Sequence, residues 1–419
     1  MEGHVINMNK KLTNILLSLI VILVVLLSFT YKDILKSFNN DENHNLDITE
    51  DQLEDEDNIE DITKTTDKSR LNQSELPSST DDTNSTDESI QSEGNPIEQE
   101  AKEPIVLAFA GDVNLDEDSR PVARYDSENK GILGGISQEL VEEMNKADIF
   151  MLNNEFAYST RGSEILEKSY TFRAHPKRVN ILKEMGVDIV SLANNHALDF
   201  GREALEDTFA TLEEAGIDYV GAGANMDRAK APIYYTIGDK KIAYIAASHV
   251  IYAMDWYATD ERSGMVGTYD PTLIVTSIEE ASKNSDFVII YVHWGKERVH
   301  EPVEYQKNLA RIYIDAGADA VIGSHPHVMQ GLEFYKGKII AYSLGNYWFN
   351  ASTKESGFLK IYLNPDGTTN VQLLPVMNKN MYTYLITKED ERNAYYKFME
   401  DISFDVEFDD EGWCQAPGV

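Results

Sequence analysis

The chain contains a single cysteine among its 419 residues, Cys414, close to its C-terminal end. One cysteine cannot form a disulfide within the chain, so a disulfide-stabilised scaffold is excluded. A metal site built from several thiolates is excluded for the same reason. Any metal held by one copy of this chain must therefore use oxygen and imidazole ligands, and Cys414 itself is interpreted as an incidental thiol.

Basic residues are also scarce. Lys and Arg number 37 against 72 Asp and Glu, which gives a formal net charge of -35 at pH 7. Binding to nucleic acid irrespective of its sequence requires a basic surface that neutralises phosphates. We therefore expect no nucleic-acid partner. The hydrophobic fraction of 42% is ordinary for a globular core, so most of the chain is expected to fold.

Charge is absent from Leu12–Thr30, a run of about 19 residues dominated by Leu, Ile and Val. A helix of this length can cross a bilayer, and the exit from the run lacks the small-residue pattern of a cleavage site. We predict an uncleaved signal anchor at residues 12–31 after a short cytoplasmic tail at residues 1–11; a cleaved signal peptide is the alternative. Lysines flank both ends, so charge hardly decides the orientation. The short tail and the acidic continuation favour a single-pass protein of the cell membrane with an extracytoplasmic domain.

The following region, residues 32–103, is predicted to be an acidic linker. From Asp41 onward it is rich in Asp, Glu, Ser, Thr and Asn and has almost no aromatic residues. Such a composition cannot bury enough apolar surface to offset the entropy lost on ordering, which predicts disorder. Repulsion between like charges should extend the linker. It is either a tether that holds the domain away from the membrane or a solvated spacer without a role in binding.

From Pro104 onward, strand-like apolar runs alternate with helical stretches. This alternation predicts an α/β fold with a largely parallel sheet covered by helices. Antiparallel hairpin strands predicted near the end of the chain indicate a second sheet packed against the first. We place the domain at residues 104–375 and a C-terminal appendage, which contains one further helix, at residues 376–419. The helices are predicted at Ser137–Lys146, Lys177–Met185, Arg202–Ala215, Val303–Ala316 and Ile386–Asp401, and the late strands at Lys338–Tyr342, Gly357–Tyr362 and Asn370–Leu374.

Five of the strand-like runs end in acidic, amide or imidazole side chains. In an open α/β sheet the carboxyl ends of the strands form the ligand crevice, so we expect these side chains to share one site. Each has a structural alternative when taken alone: Asp112 as a cap, Asn195 as a turn residue, His293 as a buried histidine with satisfied hydrogen bonds. Their occurrence at five strand ends favours the shared site. Its predicted members are Asp112, Asn114, Glu155, Asn195, His293, His325 and His327.

The residue types in this set indicate a divalent-metal site. Two metals bridged by a carboxylate need acids, imidazoles and an amide oxygen around a metal separation of about 3.5–4 Å. His325 and His327 flank Pro326, and on an extended backbone they would project to opposite sides, which suits two metals better than one. Mixed oxygen and imidazole ligands favour Mn²⁺, Zn²⁺ or Fe over Ca²⁺. The pattern does not decide between these metals, nor between one ion and two.

Six short motifs follow one another between about Pro104 and Pro375. They are Gly111-Asp112, Asn153 to Glu155, Ser191 to Asp199 with Gly201, His293 to Gly295, Gly317 to His327, and Ser343 to Asn346. In their order and spacing they resemble the CapA/PgsA proteins of poly-γ-glutamate capsule synthesis, whose domain is similar to calcineurin-like metallophosphoesterases. The resemblance implies a layered α/β fold of the calcineurin-like metallophosphoesterase type, with mixed sheets covered by helices. The predicted N-terminal anchor also suits the family.

The resemblance further implies how the predicted ligands divide. Two positions depart from the phosphoesterase pattern: Asn114 stands where a histidine is usual, and Glu155 where a bridging aspartate is usual. A weaker first metal site is therefore expected, and a binding protein could retain one metal or none. The implied ligands are Asp112, Asn114 and His327 for a first metal, and Asn195, His293 and His325 for a second, with Glu155 in the bridging position.

Two further residues receive roles from the resemblance. His196 would act as the catalytic acid that protonates a leaving group, or hold a phosphate oxygen, without binding a metal. Arg173 would bind a substrate anion; the alternative is a structural ion pair. His175 and His249 are weaker candidates for the same pocket.

Three functions fit these expectations. The first is a membrane-anchored, extracytoplasmic protein that assembles or exports poly-γ-glutamate, with the polymer and membrane synthase or export subunits as partners. The second is a metal-dependent phosphoesterase of the cell envelope, and the third is a non-catalytic scaffold of an export complex. Because an acidic domain repels a polyglutamate chain, a metal or a basic patch of Lys177, Arg178 and Arg202 would have to offset that repulsion.

Overall fold

Helices and strands alternate along the domain as the sequence predicts. The computed structural model describes residues 103–350 and 353–416. The helices are α1 Arg120–Glu128, α2 Gln138–Met144, α3 Val179–Glu184, α4 Arg202–Ala215, α5 Met226–Lys230, α6 Thr272–Asn284, α7 Glu304–Asp315 and α8 Glu389–Ile402. The strands are β1 Ile105–Val113, β2 Ile149–Asn154, β3 Ala157–Tyr158, β4 Arg173–Ala174, β5 Ile189–Ser191, β6 Asp218–Val220, β7 Ala222–Gly223, β8 Ile233–Ile237, β9 Lys240–Ser248, β10 Gly264–Met265, β11 Phe287–His293, β12 Ala320–Ser324, β13 Met329–Tyr335, β14 Lys338–Leu344, β15 Asn346–Trp348, β16 Thr353–Leu363, β17 Thr369–Lys379, β18 Tyr382–Leu385, β19 Glu407–Phe408 and β20 Trp413–Gln415.

The predicted signal anchor, and the predicted linker except for its last residue, lie outside the described residues. Among the helices within residues 103–350 and 353–416, none has the length and apolar composition needed to cross a membrane.

Two large mixed sheets form the centre of the domain. The first has ten strands and the order β19-β20-β17-β16-β1-β2-β5-β6, with β15 and β18 attached to β1 and β17. Its β1, β2, β5 and β6 are parallel, whereas β16 and β17 form the predicted antiparallel hairpin. The second sheet has the order β13-β14-β12-β11-β9-β8, with a parallel centre and antiparallel edge strands. The predicted α/β fold with mixed sheets covered by helices is thus confirmed.

Alternation along the strands builds a layered core. Leu107 and Phe109 of β1 pack against residues of the second sheet, such as Tyr244, in one core cluster between the sheets. Ala108 points the other way, into a second cluster that includes α1 to α4. The second sheet alternates in the same manner, and its outer face packs against α6 and α7. Because successive strand side chains point to opposite faces, each buried strand serves both the core between the sheets and a helical layer.

The carboxyl ends of the parallel strands of both sheets lie at one edge of the domain. The two sheets are held together there by direct contacts: the Tyr291 hydroxyl of β11 donates to the carbonyl oxygen of Ala110 in β1 at 2.8 Å. Beside it, a Cβ at Gly111 would come within 2.0 Å of the carbonyl oxygen of Gly345, so only glycine allows this approach of β1 to the loop before β15. This close packing fixes the direction of the side chains at the end of β1, including Asp112.

The described residues beyond position 375, up to residue 416, pack against the first sheet. The strand β17 runs through to Lys379, and β18 and β20 both pair with it. Helix α8 packs on the strands as well, since the Tyr395 hydroxyl donates to the carbonyl oxygen of Ser356 at 2.8 Å.

Candidate metal centre

The ends of β1, β2, β11 and β12 and the turn after β5 bring most of the predicted site residues together. Asp112 receives hydrogen bonds from both sheets: Nδ2 of Asn153 donates to its Oδ1 at 2.7 Å, and the backbone N–H of His325 donates to its Oδ2 at 3.2 Å. The second bond ties the loop after β12 to the end of β1. Asp112 therefore has a fixed place at the junction of the sheets.

Glu155 lies at the centre of the cluster. Its side chain is fully buried, and its Oε1 atom has no hydrogen-bond partner. Three imidazole Nε2 atoms face this oxygen, those of His293, His327 and His196, at 3.7, 3.8 and 3.9 Å. A buried carboxylate oxygen without a donor is unfavourable in a protein interior, so this arrangement indicates a place for a cation among the three rings.

The His325-Pro326-His327 segment adopts a backbone that differs from expectation. His325 has φ 99° and His327 has φ 56°, so the backbone is not extended and the rings do not simply project to opposite sides. Left-handed φ values are uncommon for residues other than glycine and store strain, which concentrates at functional sites. His325 also has a buried Nδ1 atom without a hydrogen-bond partner.

Two groups of side chains are close enough to hold a metal. Glu155, His325 and His327 form one, and Asp112, Glu155 and His293 form the other; within each group the ligand atoms lie within 4.8 Å of one another. Glu155 belongs to both, as a bridging carboxylate would. The groups place both histidines of the His-Pro-His segment together, whereas the family resemblance divides them between two metals.

Burial and neighbouring charges raise the pKa values of some groups in the cluster and lower those of others. Burial raises the pKa of Glu155 well above its usual range, and neighbouring Asp112 adds to the effect. Burial also acts on His327, but Glu155 and Asp112 outweigh it and raise the pKa of His327 to about 10. Burial would raise the pKa of Asp112 too, yet its contacts with His327 lower it overall. Burial lowers the pKa of His325 to about 3, so that ring is neutral and able to bind a metal.

The two predicted amide ligands have different surroundings. Oδ1 of Asn114 accepts the backbone N–H of Asp116 at 2.7 Å, which is a turn contact. Oδ1 of Asn195 is 2.7 Å from Nε2 of His293 and so lies directly beside the cluster. The geometry therefore supports Asn195 more than Asn114, and the ligand roles of both stay predictions.

His196 is held by a pair of charged residues. Its Nδ1 atom is 2.6 Å from Oδ2 of Asp199 and 3.0 Å from Nζ of Lys168. Burial lowers the pKa of His196 to about 4, although Asp199 offsets part of the effect. The neutral ring carries its one proton on Nδ1, where the short contact to the carboxylate places it, and presents Nε2 to Glu155.

Arg173 is directed to protein groups. Its guanidinium lies 4.0 Å from the ring centroid of Phe200, and NH1 donates to the carbonyl oxygen of Arg161 at 3.1 Å. Neither contact is an ion pair, which was the alternative role predicted for Arg173. Its role in binding a substrate anion stays a prediction. Of the weaker candidates, His175 is exposed and bonds the N–H of Lys177, while His249 stacks on Tyr305 at 4.0 Å.

Several residues of the site had no predicted role. Nδ2 of Asn153 contacts Asp112 and lies 3.4 Å from Oε2 of Glu155 and 3.3 Å from Nδ1 of His293. Asn194 orients Asn153 by donating to its Oδ1 at 3.0 Å. Both asparagines belong to the motifs that resemble the family, so their position in those motifs could have indicated a role in the site. Lys168 lies outside every motif, so nothing in the sequence indicated it.

The donor set fits a divalent transition metal. It combines two carboxylates with imidazoles, as Mn²⁺, Zn²⁺ and Fe sites do. The unpartnered Oε1 of Glu155 and Nδ1 of His325 are both ligand atoms left over by the protein's own hydrogen bonds. Oxygen and imidazole nitrogen atoms of this kind are the ligands that such metals prefer.

Comparison with known proteins identifies relatives in capsule synthesis. The capsule biosynthesis protein CapA of Bacillus anthracis is 28% identical over 313 residues, which cover 72% of this chain and 74% of that protein. The PGA biosynthesis protein CapA of Bacillus subtilis is 33% identical over 214 residues, 50% of this chain and 56% of that protein. A probable polyglutamine synthesis accessory protein of Mycobacterium tuberculosis is 31% identical over 215 residues, 49% and 57% of the two chains. The chain thus matches little more than half the length of the last two relatives.

Solved structures of similar architecture include a phosphatase from Mycoplasma pneumoniae and the NAD nucleotidase of Haemophilus influenzae. The first has a TM-score of 0.41 and 12% identity, covering 65% of this chain and 94% of that one. The second has a TM-score of 0.41 and 11% identity, covering 72% and 63%. Similarity at this level says nothing about activity. The profile of the bacterial capsule synthesis protein family PGA_cap, by contrast, matches residues 106–351, more than half of the chain, and the chain belongs to that family.

Proposed function

We propose that this chain is a membrane-anchored, extracytoplasmic protein of poly-γ-glutamate capsule synthesis or export, and that its cluster of carboxylates and imidazoles binds a divalent metal. The family and its named relatives support the role in the capsule. The apolar run Leu12–Thr30 supports the anchor. The observation that carries the metal centre is the unpartnered Oε1 of Glu155, faced by three imidazole nitrogens.

The residues that would hold the metal follow from the geometry. Glu155 is common to both candidate groups, with His325 and His327 on one side and Asp112 and His293 on the other. Asn153 and Asn194 hold these groups in place by hydrogen bonds. When bound, the metal would supply positive charge for an anionic substrate group and lower the pKa of coordinated water.

The metal centre also addresses the charge conflict between an acidic domain and an acidic polymer. The basic patch expected at Lys177, Arg178 and Arg202 is largely engaged elsewhere. Arg178 forms ion pairs with Glu117 at 2.7 Å and Asp126 at 2.6 Å. Arg202 donates to the backbone carbonyls of Ser263 and Asp255. With these cations engaged, a bound metal is the better source of positive charge for a glutamate carboxylate at this edge of the sheets.

The test is the metal dependence of polymer binding. The purified full chain is titrated with a fluorescent γ-linked glutamate oligomer, with Mn²⁺ and after removal of metal by a chelator, and binding is followed by anisotropy. We expect binding with Mn²⁺ and little without it. Glu155→Gln should abolish the metal-dependent part, whereas Glu214→Gln, an exposed change on α4, should not. Equal binding with and without metal would remove the metal from polymer recognition.

The anchoring requires a separate test. Cells that express the full chain, or a chain without residues 12–31, are fractionated, and intact spheroplasts are treated with protease. We expect the full chain in the membrane fraction and its domain accessible to protease from outside. Recovery of both proteins in the same soluble fraction would refute the anchor.

A second candidate function is a metal-dependent phosphoesterase of the cell envelope. The His196–Asp199 pair favours it, because this imidazole lies beside the candidate metal groups with a carboxylate behind it. A general acid or base next to a metal is a common arrangement for ester hydrolysis. Turnover of phosphate esters by the metal-loaded chain separates this function from polymer binding. If the chain shows neither activity, the non-catalytic scaffold becomes the better interpretation.

A further inference from the structure

Lys168 is a largely buried cation in a mostly exposed segment. Its side chain is 10% exposed, whereas Leu166 and Tyr170 on either side of it are 90% and 66% exposed. The segment joins β3 to β4. Burial of an ammonium group is unfavourable unless ionic and hydrogen-bonding partners compensate, so the inward course of this one side chain depends on specific contacts.

The ammonium group of Lys168 contacts three residues of the turn that follows β5. Its Nζ atom donates to the backbone carbonyl of Asn195 and, at 2.5 Å, to Oδ1 of Asp199. It lies 3.0 Å from Nδ1 of His196. Two of the three N–H donors of the ammonium group thus have acceptors in this turn, whereas Nδ1 of His196 carries the proton shared with Asp199 and is a close neighbour rather than an acceptor. Lys168 is thus bonded to the protein rather than turned to a substrate.

Two aromatic rings enclose the same ammonium group. Nζ lies 5.5 Å from the ring centroid of Trp256 and 5.9 Å from that of Tyr252. A cation near the face of an aromatic ring is attracted by the ring quadrupole. Three segments therefore meet at Lys168: the connection from β3 to β4, the turn after β5 and the loop between β9 and β10.

Asp199 extends this contact to the imidazole beside the candidate metal centre. Its Oδ2 atom is 2.6 Å from Nδ1 of His196 and accepts the backbone N–H of Phe172 at 2.8 Å. The Phe172 ring stacks on the imidazole at 4.2 Å. Nε2 of His196 is thereby turned to Oε1 of Glu155 at 3.9 Å. The carbonyl bonded by Lys168 belongs to Asn195, whose side chain contacts His293.

We propose that Lys168 is a positioning residue that holds Asn195 and His196 against the metal centre by tying the turn after β5 to the segment between β3 and β4. The inference rests on the proposed metal centre for its functional meaning. The contacts that carry it are present in the chain's own structure, so it can be tested with and without metal.

The test compares Lys168→Met with Lys360→Met in the purified full chain. Lys360, in the middle of β16, is a matched control because its side chain is also buried, with 2% exposed. Its ammonium group donates to a single carboxylate, that of Glu143. Loss of a residue that supports metal ligands typically lowers metal affinity roughly 10–100-fold. Because Lys168 bonds the backbone carbonyl of Asn195, a predicted ligand, we expect a loss of this size in Mn²⁺ affinity for Lys168→Met, and wild-type affinity for Lys360→Met even if both variants lose stability.

A second readout needs no metal. Diethyl pyrocarbonate modification of the metal-free chains, followed by mass spectrometry of the His196 peptide, reports how firmly this ring is held. We expect faster modification of His196 in Lys168→Met alone. If Lys168→Met does not fold, Lys168→Arg, which keeps a cation with a different shape, replaces it, with a smaller loss expected.

The two readouts separate the possible failures. Unchanged metal affinity and unchanged His196 modification in the Lys168 variant would overturn the inference. If the wild type binds no Mn²⁺, the proposed metal centre fails. In that case, faster modification of His196 in the Lys168 variant alone would still support the inference that Lys168 positions this ring. Equal modification in the Lys168 and Lys360 variants would overturn the inference.

Discussion

Nδ2 of Asn153 donates to Oδ1 of Asp112 at 2.7 Å, and this bond joins the ends of β1 and β2 beneath the candidate metal centre. The same nitrogen lies near Glu155 and His293. Asn153 thus orients residues of a candidate metal group without being a predicted ligand. Residues that hydrogen-bond metal ligands in this way orient the ligands and tune metal affinity.

We expect Asn153→Ala to lower Mn²⁺ affinity roughly 10–100-fold, because Asp112 loses the donor that fixes its orientation. Isothermal titration of the full chain measures the effect. Asn378→Ala is the matched control, since Asn378 is equally buried but donates to the carbonyl of Phe349 in another part of the sheet. The same affinity in wild type and Asn153→Ala would show that Asp112 needs no support from this residue.

Removal of both histidines around Pro326 should remove the metal. His325 and His327 share one candidate group with Glu155, and the double change His325→Ala/His327→Ala leaves that group with a single carboxylate. Elemental analysis after gentle purification should find metal in the wild type and in the control His300→Ala, an exposed histidine, but much less in the double variant. Metal retained by the double variant would exclude these residues as ligands.

Glu155→Gln should separate metal binding from stability. In the metal-free chain the buried Oε1 of Glu155 lacks a donor, and an unsatisfied buried polar group costs about 1–3 kcal/mol. Burial and Asp112 already oppose the charged form of Glu155, and Gln keeps the shape without a charge, so we expect the metal-free variant to melt at the same or a higher temperature than the metal-free wild type. Addition of Mn²⁺ should stabilise only the wild type. A variant stabilised equally by Mn²⁺ would contradict the central place of Glu155.

The sequence predicts much of this architecture because the relevant signals are local. Helix α4 has its predicted bounds, and Gly216 ends it in the left-handed conformation that glycine favours. Helix α6 was not predicted, since its stretch of Leu, Ile, Val and Thr is equally typical of a strand. Packing decides there: Ile274, Ile278 and Ala281 recur at helical spacing and are all buried against the second sheet.

The site was predictable only in part for a related reason. Residues at strand ends, such as Asp112 and His293, could be assigned because strand direction alone places them at one edge. The backbone at His325 could not be, because its φ of 99° accompanies a hydrogen bond from its N–H to Asp112 on another sheet, and no local pattern in the sequence indicates that contact. Lys168 comes from an irregular segment, where no periodicity predicts which side chain turns inward.

The ion pair of Glu117 with Arg178 predicts a pH-dependent contribution to stability. The Arg178 guanidinium, which bonds this carboxylate at 2.7 Å, lowers the pKa of Glu117 from 4.5 to about 2. A folded-state pKa below the unfolded one means that the stabilisation is present above pH 4.5 and is lost as the pH falls to about 2. Because the Glu117 side chain is 38% exposed, screening limits the contribution to about 0.5–1 kcal/mol.

Glu117→Gln should therefore destabilise the chain at pH 7, and the difference from wild type should shrink as the pH is lowered through this window. Chemical denaturation at a series of pH values measures it. Glu214→Gln, at an exposed position on α4, is the control and should follow the wild type. A difference that stays constant down to pH 2.5 would contradict the ion-pair origin of the effect.

His196 is the candidate catalytic acid of the site. If the site hydrolyses phosphate esters, His196→Ala should reduce turnover roughly 10²–10⁴-fold, the usual scale for loss of acid–base help. The burial that lowers its pKa to about 4 leaves the free ring neutral, with its proton on the Asp199 side. A bound anionic ester would raise that pKa and favour a proton on Nε2, where a leaving group would need it. An alkyl phosphodiester is therefore the more informative substrate, because a good phenolate leaving group needs little protonation.

Metal content decides how a loss of turnover is interpreted. Because His196 is assigned as an acid rather than a ligand, His196→Ala should keep its metal, and Asp199→Asn should lose turnover in the same direction. Loss of metal in His196→Ala would instead make the ring a ligand, as its distance of 3.9 Å from Oε1 of Glu155 would allow. If the metal-loaded wild type hydrolyses neither an activated nor an alkyl diester above background, the phosphoesterase function loses its main support. His196 would then be better explained as a contact for the carboxylates of a bound polymer.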